Sequence, residues 1–268
     1  MKEEEDIIKR PDIQIYIYGH KPVEYGIWNN SLYTPLEVGA YQREKLFDIR
    51  DNEGDNISIW NPIYGELTGM YWLWKNNITS LKYIGTCQTN LKFVGVCQYR
   101  RRLEFKEDTD FNAIFIDYDI VLPTPLKMNP KTQYSACHSK NDIEEVENII
   151  AEKFPDYKEA FNSFWNGNKL WYSNSFVMRV EDFEDYCEFL FGVFEEFKTR
   201  KGWTTPEDIS AEIGMEMGVT RNTARGLKYQ RQIFGFLGER LLGVFVTRRF
   251  KEDRIKEIEY LKYEGLTI

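Results

Sequence analysis

The sequence DNEGDNISIWNPIYGELTGMYWLWKN, at positions 51–76, decides the fold more than any other stretch. Its first half is a polar loop rich in Asp, Asn and Gly, and its second half carries apolar residues at helical spacing. We predict that Asn61 caps this helix and that Pro62 takes its first position. Such a loop, followed by a helix start, offers backbone amides and a positive dipole end that suit a phosphorylated small molecule. A solvated turn before a core helix is the alternative.

Strand-like and helix-like segments alternate on both sides of this stretch. Residues 13–18 alternate apolar and β-prone side chains and stop at Gly19 and His20, which predicts a strand that delivers a polar loop. The sequence YIGTCQ at 83–88 is echoed by FVGVCQ at 93–98, which indicates either a hairpin or one strand with a surface insert. Further strands are predicted at 113–122 and 170–180, and helices at 143–154, 157–165, 181–201 and 229–246, with a short helix that opens at Thr205, Pro206 and Asp208. This alternation predicts an α/β domain with a mainly helical C-terminal third.

The composition excludes several functional classes. The 268 residues carry a net charge of −8, which argues against non-specific nucleic-acid binding by the whole chain. Four cysteines without metal-ligand spacing and only two histidines argue against a zinc site. The charged N-terminal residues contain no apolar signal region, and no run of about 18 apolar residues is present. We therefore expect a cytoplasmic protein.

A basic cluster follows the predicted strand at 93–98. Tyr99, Arg100 and Arg101 stand directly after it, and guanidinium groups at a strand end can clamp a phosphate through two parallel hydrogen bonds. A solvated basic patch is the alternative. His20, at the end of the first strand, is either a ligand-facing imidazole or a structural histidine.

Two further groups of polar residues interrupt apolar segments. The triplet Ser173-Asn174-Ser175 lies inside an apolar strand pattern, where its hydroxyls and amide need partners in the protein or in a ligand. Glu239 lies on one helical stripe with Gly235 and Gly243, so either another backbone or a ligand bound by the carboxylate should approach there.

Residues 210–226 have the rhythm of a DNA-binding helix-turn-helix, with Gly218 in the turn and Arg221 and Arg225 nearby. The acidic side chains at 207, 208, 212 and 216 would face the same duplex and repel it. We therefore rank DNA binding last.

Taken together, these segments resemble a family of capsular-polysaccharide and O-antigen glycosyltransferases catalogued as a domain of unknown function. The residues that carry the resemblance are YGHK at 18–21, the stretch from VGAYQ to YWLWKN at 38–76, FVGVCQYRRRL at 93–103, YDIVLP at 118–123, WYSNSFVM at 171–178 and GFLGERLLGVFV at 235–246. The match runs through nearly the whole chain in order.

The resemblance implies a GT-A-like, Rossmann-type α/β fold that binds a nucleotide sugar. It implies a glycosyltransferase that moves a hexose, with galactofuranose as one option, from a UDP-sugar to a glycan or lipid-linked glycan in surface polysaccharide synthesis. We expect one domain over 1–268, in which 12–125 bind the donor and the helix-rich residues 126–268 face the acceptor. Lys and Arg at 248, 249, 251 and 254 either meet the inner membrane face peripherally or form a solvated helix face. A non-catalytic nucleotide-sugar-binding protein of a polysaccharide locus is the competing function.

The resemblance also implies roles for individual residues. Trp72 and Trp74 match its aromatic helix and would line or support the donor pocket. The predicted donor-binding residues are His20, Asp51, Asn52, Asn56, Thr68, Tyr99, Arg100 and Arg101, and the predicted acceptor-binding residues are Ser173, Asn174, Ser175 and Arg240. An inverting transferase also needs a base that deprotonates the acceptor hydroxyl, and our candidates, in order, are Glu239, Asp55 and Glu66.

Two features set this chain apart from the family pattern. Gln98 stands where the family usually has His, and Gly238 stands where it usually has Ser, so roles of that imidazole or hydroxyl are absent. The arginines stand where GT-A enzymes usually carry an Asp-x-Asp metal motif, so we expect no required metal, with Mn²⁺ or Mg²⁺ as the alternative. The Asp-x-Asp at Asp117 to Asp119 falls inside an apolar segment and is not predicted to bind metal.

Overall fold

The computed structural model describes residues 12–21, 30–76 and 91–262. Strand β1 (Ile13–Gly19) lies in the interior of a sheet whose strands come from both halves of the chain. The other strands are β2 (Tyr33–Glu37), β3 (Ile49–Arg50), β4 (Phe93–Gln98), β5 (Arg101–Leu103), β6 (Ile120–Pro123), β7 (Leu126–Lys127), β8 (Lys169–Leu170), β9 (Phe176–Arg179), β10 (Ile255–Ile258) and β11 (Tyr260–Lys262). The predicted echo at 83–88 and its hairpin, the lead-in at 1–11 and the last residues, 263–268, lie outside the described part of the chain.

The main sheet has the strand order β10-β6-β9-β4-β1-β2-β3. Strands β1 to β4 are mutually parallel, β9 runs antiparallel between β4 and β6, and β10 pairs parallel with β6. Strand β5 turns back from β4 and pairs with β11, while β7 and β8 form a separate ladder. This parallel core confirms the predicted α/β class.

Both faces of the sheet are buried, as expected for parallel strands. In β1, Ile15 and Ile17 face one apolar cluster, and Tyr16 and Tyr18 face the other. Helix α3 (Phe111–Asp117) packs on the smaller cluster, and α9 (Gly226–Gln230) lies beside α8. The larger cluster is formed with the helices α1 (Asn61–Tyr64), α2 (Leu67–Lys75), α4 (Pro130–Cys137), α5 (Lys140–Lys153), α6 (Lys158–Asn166), α7 (Val180–Lys201), α8 (Pro206–Glu216) and α10 (Ile233–Arg249).

Several predicted elements form as expected. Helix α7 matches the prediction at 181–201 within one residue, and α5 and α6 match those at 143–154 and 157–165. Helix α8 begins with a full capping box, in which Thr205 accepts from the Asp208 amide and the Asp208 carboxylate accepts from the Thr205 amide. None of the described helices is long and apolar enough to cross a membrane.

Other predictions are wrong. Residues 113–122 form α3, capped by Asp110, and only then strand β6. Asn61 does not cap a helix, because it is the first residue of α1 and its amide donates to the Gly65 carbonyl and Thr68 hydroxyl. The segments 170–180 and 229–246 are both interrupted, the first by a turn at 171–175 and the second between α9 and α10.

The helix-turn-helix does not form. Helix α9 has five residues, too few for a recognition helix, and Arg221 is buried. Its guanidinium binds both oxygens of Asp142, at 2.7 and 2.9 Å, and also the Glu216 carboxylate. Arg221 therefore ties the turn after α8 to α5 and is not available to a phosphate backbone.

Candidate active site

The polar ends of the parallel strands meet at one edge of the sheet. Tyr18 pairs with Gln98 and Gly19 with Glu37, so the residues after β1 and β4 leave the sheet side by side. Strand β9 is antiparallel and starts at Phe176 opposite Val96, which brings the turn before it to the same edge. His20, the 99–101 cluster and the 173–175 triplet are therefore neighbours, at the edge where open α/β sheets bind ligands.

Glu66 reaches this edge from a break between two helices. Gly65, at φ +57°, ends α1 and redirects the chain, and Glu66 then caps α2. One Glu66 oxygen accepts hydrogen bonds from the Gln98 amide at 2.8 Å and the Asn174 amide at 2.9 Å. Burial raises the pKa of Glu66, the nearby Glu239 carboxylate raises it further, and the amide bonds oppose the rise.

Glu239 faces the same edge from α10. Its Oε1 accepts the backbone N–H of Ser173 at 2.7 Å, and its Oε2 forms an ion pair with the guanidinium of Arg240. Burial raises the pKa of Glu239, while Arg240, the Ser173 amide and the charge of Arg101 oppose the rise. The two carboxylates of the site thus come from positions 66 and 239 and are linked by the turn that carries Ser173 and Asn174.

The four predicted acceptor-binding residues form the wall behind these carboxylates. Ser173, Asn174, Ser175 and Arg240 are each at most 1 % exposed. The Ser173 hydroxyl donates to the Tyr172 carbonyl at 2.6 Å, while the Arg240 guanidinium donates to the Phe236 carbonyl at 2.9 Å and to Gln133. Their direct contact with an acceptor stays a prediction, and the contacts that the structure shows are internal.

Positive charge surrounds the opposite side of the site. Arg100 is exposed and donates from Nε to the Tyr99 hydroxyl at 2.8 Å, with its guanidinium 5.1 Å from the Tyr99 ring. The His20 ring meets the Tyr99 ring edge-on at 5.4 Å. Burial, together with the charges of Arg100, Lys21, Arg43 and Lys228, lowers the pKa of His20 to about 4. His20 is therefore neutral at physiological pH, and the cations around it attract an anion.

The loop at 51–57 is held in place by Asp51. This buried carboxylate accepts four hydrogen bonds, from the amides of Gly39 (2.8 Å) and Ala40 (3.0 Å) and from the hydroxyls of Ser58 (2.5 Å) and Thr68 (2.6 Å). Asp51 and Thr68 thus have contacts within the protein, and their binding of a donor stays a prediction.

The remaining loop residues lie between this anchor and the end of α2. Asn52 donates weakly to the Ala40 carbonyl at 3.4 Å, and Asn56 donates to the Gly54 carbonyl at 2.9 Å. The buried Asn52 Oδ1 has no hydrogen-bond partner among the residues that the structure describes. Asn56 Oδ1 also accepts from the Ser58 amide at 3.2 Å, so both polar atoms of Asn56 have partners in the loop, and binding of a donor by Asn52 and Asn56 stays a prediction.

Asp55 is not part of the carboxylate cluster. It accepts from the Tyr71 hydroxyl at 3.3 Å, and its carbonyl accepts from the Asn76 amide at 2.8 Å. Asn76 ends α2, about 15 Å along the helix from Glu66. Trp72 supports the loop from beneath through the Glu53 carbonyl, at 2.8 Å, and Trp74 stacks on Phe191 at 5.6 Å.

Sequence reasoning missed two residues of the site. The sequence analysis marked Gln98 only as a glutamine where the family usually has histidine, yet its side-chain amide donates a hydrogen bond to Glu66. Tyr260 comes from a tail without a recognisable motif, and its hydroxyl bonds the Ser173 hydroxyl and the Tyr172 carbonyl. No local pattern marks either residue, because both act through contacts between distant segments.

The glycines of α10 accommodate close packing against the protein. A Cβ at Gly235 would lie 3.3 Å from the Tyr64 carbonyl oxygen, and one at Gly243 would lie 2.1 Å from the Phe164 ring. Approach by another backbone is therefore observed at Gly235, and binding of a ligand by the Glu239 carboxylate stays a prediction.

No group of three or more His, Cys, Asp or Glu side chains that could hold a metal occurs among the described residues. Asp119 lies before β6, at the opposite edge of the sheet, where its carboxylate is bound by Arg254 (2.8 Å) and Arg179 (3.3 Å). The Asp117 to Asp119 sequence thus lies at the edge of the sheet away from the site.

Comparison with known proteins identifies the family. The model of the domain of unknown function DUF4422 matches residues 14–251. The chain belongs to this family. No curated protein sequence matches the chain.

A solved structure described as the bifunctional glycosyltransferase WbbM, in its apo state, superimposes on this DUF4422 chain with a TM-score of 0.70 at 24 % identity. The match covers 94 % of this chain and 45 % of WbbM, so the chain spans less than half of that protein's length. The predicted GT-A-like α/β fold is confirmed by this similarity and by the parallel sheet.

Proposed function

We propose that this DUF4422 protein is a glycosyltransferase that moves a hexose from a UDP-sugar to a glycan or lipid-linked glycan. One observation carries the proposal: the exposed arginines at 100 and 101 and the carboxylates of Glu66 and Glu239 lie at the same ligand-binding edge of a glycosyltransferase-like sheet. A transferase needs both, because a diphosphate leaves on one side of the anomeric carbon while a hydroxyl loses its proton on the other.

Arg100 and Arg101 are assigned to the diphosphate. They are exposed at the turn between β4 and β5, and their charge reaches into the site, since Arg100 lowers the pKa of His20 and Arg101 that of Glu239. Guanidinium groups there stabilise the charge that develops on the departing UDP. We propose that Asn52 and Asn56 contribute amide groups to the donor, while Asp51 holds the loop.

Glu239 is our first candidate for the base, and Glu66 is the second. In the proposed step, the acceptor hydroxyl gives its proton to the carboxylate while its oxygen bonds to the anomeric carbon and the bond to the β-phosphate oxygen breaks. Burial raises the pKa of both carboxyls and so makes each carboxylate a stronger base. Asp55 ranks last because it lies at the far end of α2.

We propose transfer without a required metal, because arginines occupy the strand end where an acidic metal motif would stand. Galactofuranose transfer, a role in surface polysaccharide synthesis, a cytoplasmic location and a peripheral membrane contact remain proposals that follow from the family resemblance. The membrane contact has the least structural support, since Arg249 pairs with Asp182 and Arg254 with Asp119.

Calorimetric titration with UDP, first with Mn²⁺ and then with chelator, tests the donor site. We expect binding that survives chelation, followed by transfer or slow hydrolysis in a screen of UDP-hexopyranoses and UDP-galactofuranose. A protein that binds UDP but neither transfers nor hydrolyses any of these donors would be the non-catalytic nucleotide-sugar-binding protein. Absence of UDP binding under both conditions would refute the UDP-sugar assignment.

A further inference from the structure

The guanidinium of Arg240 is the counter-ion of Glu239. Arg240 is buried, and its Nη1 donates to the Glu239 carboxylate and, at 2.9 Å, to the Phe236 carbonyl oxygen. Its Nε has no hydrogen-bond partner in the described part of the chain. A buried charge with few hydrogen bonds keeps one orientation only where its surroundings hold it there. The groups that hold Arg240 therefore decide where its charge lies relative to Glu239.

Helix α4 holds this guanidinium with two consecutive residues. The Gln133 Oε1 accepts a hydrogen bond from Arg240 Nη2, and the centroid of the Tyr134 ring lies 5.3 Å from Arg240 Cζ. The Gln133 Nε2 donates to the Cys137 sulfur at 3.6 Å, one turn further along α4, which leaves Oε1 to face the arginine. One element thus offers the guanidinium both a hydrogen-bond acceptor and an aromatic ring.

A second buried ion pair fixes α4 in turn. The Tyr134 hydroxyl donates to Asp142 Oδ2 at 2.9 Å, and Asp142 is bound by both terminal nitrogens of Arg221. Charges of opposite sign therefore alternate from Glu239 through Arg240 and Asp142 to Arg221. The turn after α8, which has the rhythm of a helix-turn-helix in the sequence, is connected in this way to the proposed base.

Arg240 is the cation that stays beside Glu239. Arg101 is exposed and is assigned above to the donor diphosphate, whose negative charge offsets its own when the donor is bound. The tyrosines that face Glu239 have raised pKa values through burial and are neutral at physiological pH. The ionisable groups that face Glu239, among the residues described, are Glu66, Arg101, Tyr172, Tyr186, Tyr229, Arg240 and Tyr260.

We propose that Gln133 is a positioning residue for the reaction, which fixes the Arg240 guanidinium against Glu239 and so keeps this carboxylate in the charged form that a base needs. The proposal rests on the proposed function, because it takes Glu239 as the base. Burial favours the neutral form of a carboxyl group, so a displaced guanidinium would leave Glu239 holding its proton. The Glu239 side chain is 11 % exposed, which leaves access for an acceptor hydroxyl.

Carbon NMR of the full chain labelled with [5-¹³C]glutamate measures the charge of Glu239 without donor or acceptor. The Glu239 carboxyl resonance is assigned by its loss in Glu239→Gln, and its chemical shift is followed from about pH 4 to pH 8. Gln133→Met keeps an unbranched side chain and removes the acceptor. We expect the titration midpoint of Glu239 to rise by about half a pH unit, a roughly threefold change in its acid dissociation constant. A folded Gln133→Met that titrates like the unchanged protein would overturn the proposal.

A second variant and two controls complete the experiment. Gln133→Glu folds with an acceptor still opposite Arg240, and its carboxylate competes with Glu239 for the guanidinium, so the midpoint should rise again. Ser135→Met is the matched control, because it places the same side chain at an exposed position of α4. Tyr134→Phe keeps the ring beside Arg240 and removes one buried hydrogen bond, so it should lower Tm and leave the midpoint in place. An equal rise in Tyr134→Phe and Gln133→Met would show a general structural effect and contradict the role of Gln133.

The two proposals fail separately, because the titration needs no transferase activity. A Glu239 midpoint that rises in Gln133→Met, in a protein that transfers no sugar, supports the positioning contact and removes the transferase assignment. Transfer by a protein in which the midpoint stays in place removes only the role of Gln133.

Discussion

Replacement of Asp51 by Asn separates a scaffolding role from a ligand-binding role. The amide is almost the same shape, but one of its two oxygens becomes an NH₂ group. If Oδ2 is replaced, the NH₂ group faces the Gly39 N–H and the Thr68 hydroxyl. If Oδ1 is replaced, it faces the Ala40 N–H and the Ser58 hydroxyl. The hydroxyl can turn and accept a bond, whereas the N–H cannot.

The magnitude follows from these contacts. A buried N–H without an acceptor costs about 1–3 kcal/mol, and bonds that pass from a charged to a neutral acceptor each lose roughly half of their 1.5–3 kcal/mol. We therefore expect Asp51→Asn to lower the free energy of unfolding by about 3–4 kcal/mol. For a chain of this size, Tm should fall by roughly 10 °C.

Urea denaturation and thermal melting measure this loss, and calorimetry at 10 °C measures UDP binding by the protein that remains folded. Asp48→Asn is the matched control, because the Asp48 side chain is 96 % exposed and should leave Tm unchanged. A variant of full stability that binds UDP tenfold more weakly would refute the scaffolding argument and make Asp51 a donor ligand.

Two further predictions concern the site, and a third concerns stability in acid. Glu239→Gln should lower the transfer rate by 10²–10⁴-fold and leave UDP affinity unchanged if Glu239 is the base, and Glu66→Gln should give the larger loss if the roles are reversed. Arg100→Ala and Arg101→Ala should each weaken UDP binding about tenfold and leave uridine binding unchanged, because they remove charge-assisted bonds to phosphate. Burial lowers the pKa of His138 to about 3, so the unfolded chain takes up a proton below pH 6.5 that the folded chain refuses until about pH 3. The free energy of unfolding should therefore decrease by about 1.4 kcal/mol for each unit by which the pH falls between pH 6.5 and pH 3. Urea denaturation of His138→Phe at several pH values should not show this decrease.

The first two of these predictions have controls within the chain. Asp55→Asn changes a carboxylate remote from the cluster and should keep full turnover, and Lys45→Ala removes an exposed charge and should keep UDP affinity. Full turnover by Glu239→Gln would remove Glu239 from the role of base. Equal loss of uridine and UDP binding in the arginine variants would point to a contact with the uracil ring or to misfolding. If the free energy of unfolding of His138→Phe depends on pH as it does in the unchanged protein, His138 is not the source of that dependence.

Local sequence patterns predicted the helices whose start and end signals all lie within one short segment of the chain. Thr205, Pro206 and Asp208 form the expected capping box, and the charge asymmetry of α7 matches its helical ends. The apolar segment at 113–122 was assigned wrongly because periodicity does not distinguish a short buried helix from a strand. The Asp110 cap, which accepts the Ala113 amide at 3.0 Å, decides for the helix.

The candidate site was predicted in its parts but not in its connections. Glu66, Asn174 and Glu239 were each singled out, yet nothing in the sequence shows that Glu66 and Asn174, 108 positions apart, share a hydrogen bond. Such a contact depends on sheet order and on where β9 enters, which are properties of the whole chain. For the same reason, the sequence could not show that the triplet at 173–175 would be buried.

The turn before β9 explains why a polar triplet interrupts an apolar strand. Ser173 and Asn174 both adopt left-handed conformations, at φ +74° and +45°, although neither is a glycine. Such conformations cost on the order of 1–3 kcal/mol each and persist where the surroundings enforce them. Here the turn directs the backbone N–H of Ser173 toward Glu239 and the side-chain amide of Asn174 toward Glu66.

One short turn therefore orients both carboxylates, although they come from different helices. Gly238 lets α10 approach closely enough, since a Cβ there would lie 2.6 Å from Leu67 Cδ1 and 3.3 Å from Asn174 Oδ1. Backbone strain at an acidic pair is typical of a site built for chemistry, because a scaffold alone would reach lower energy without it.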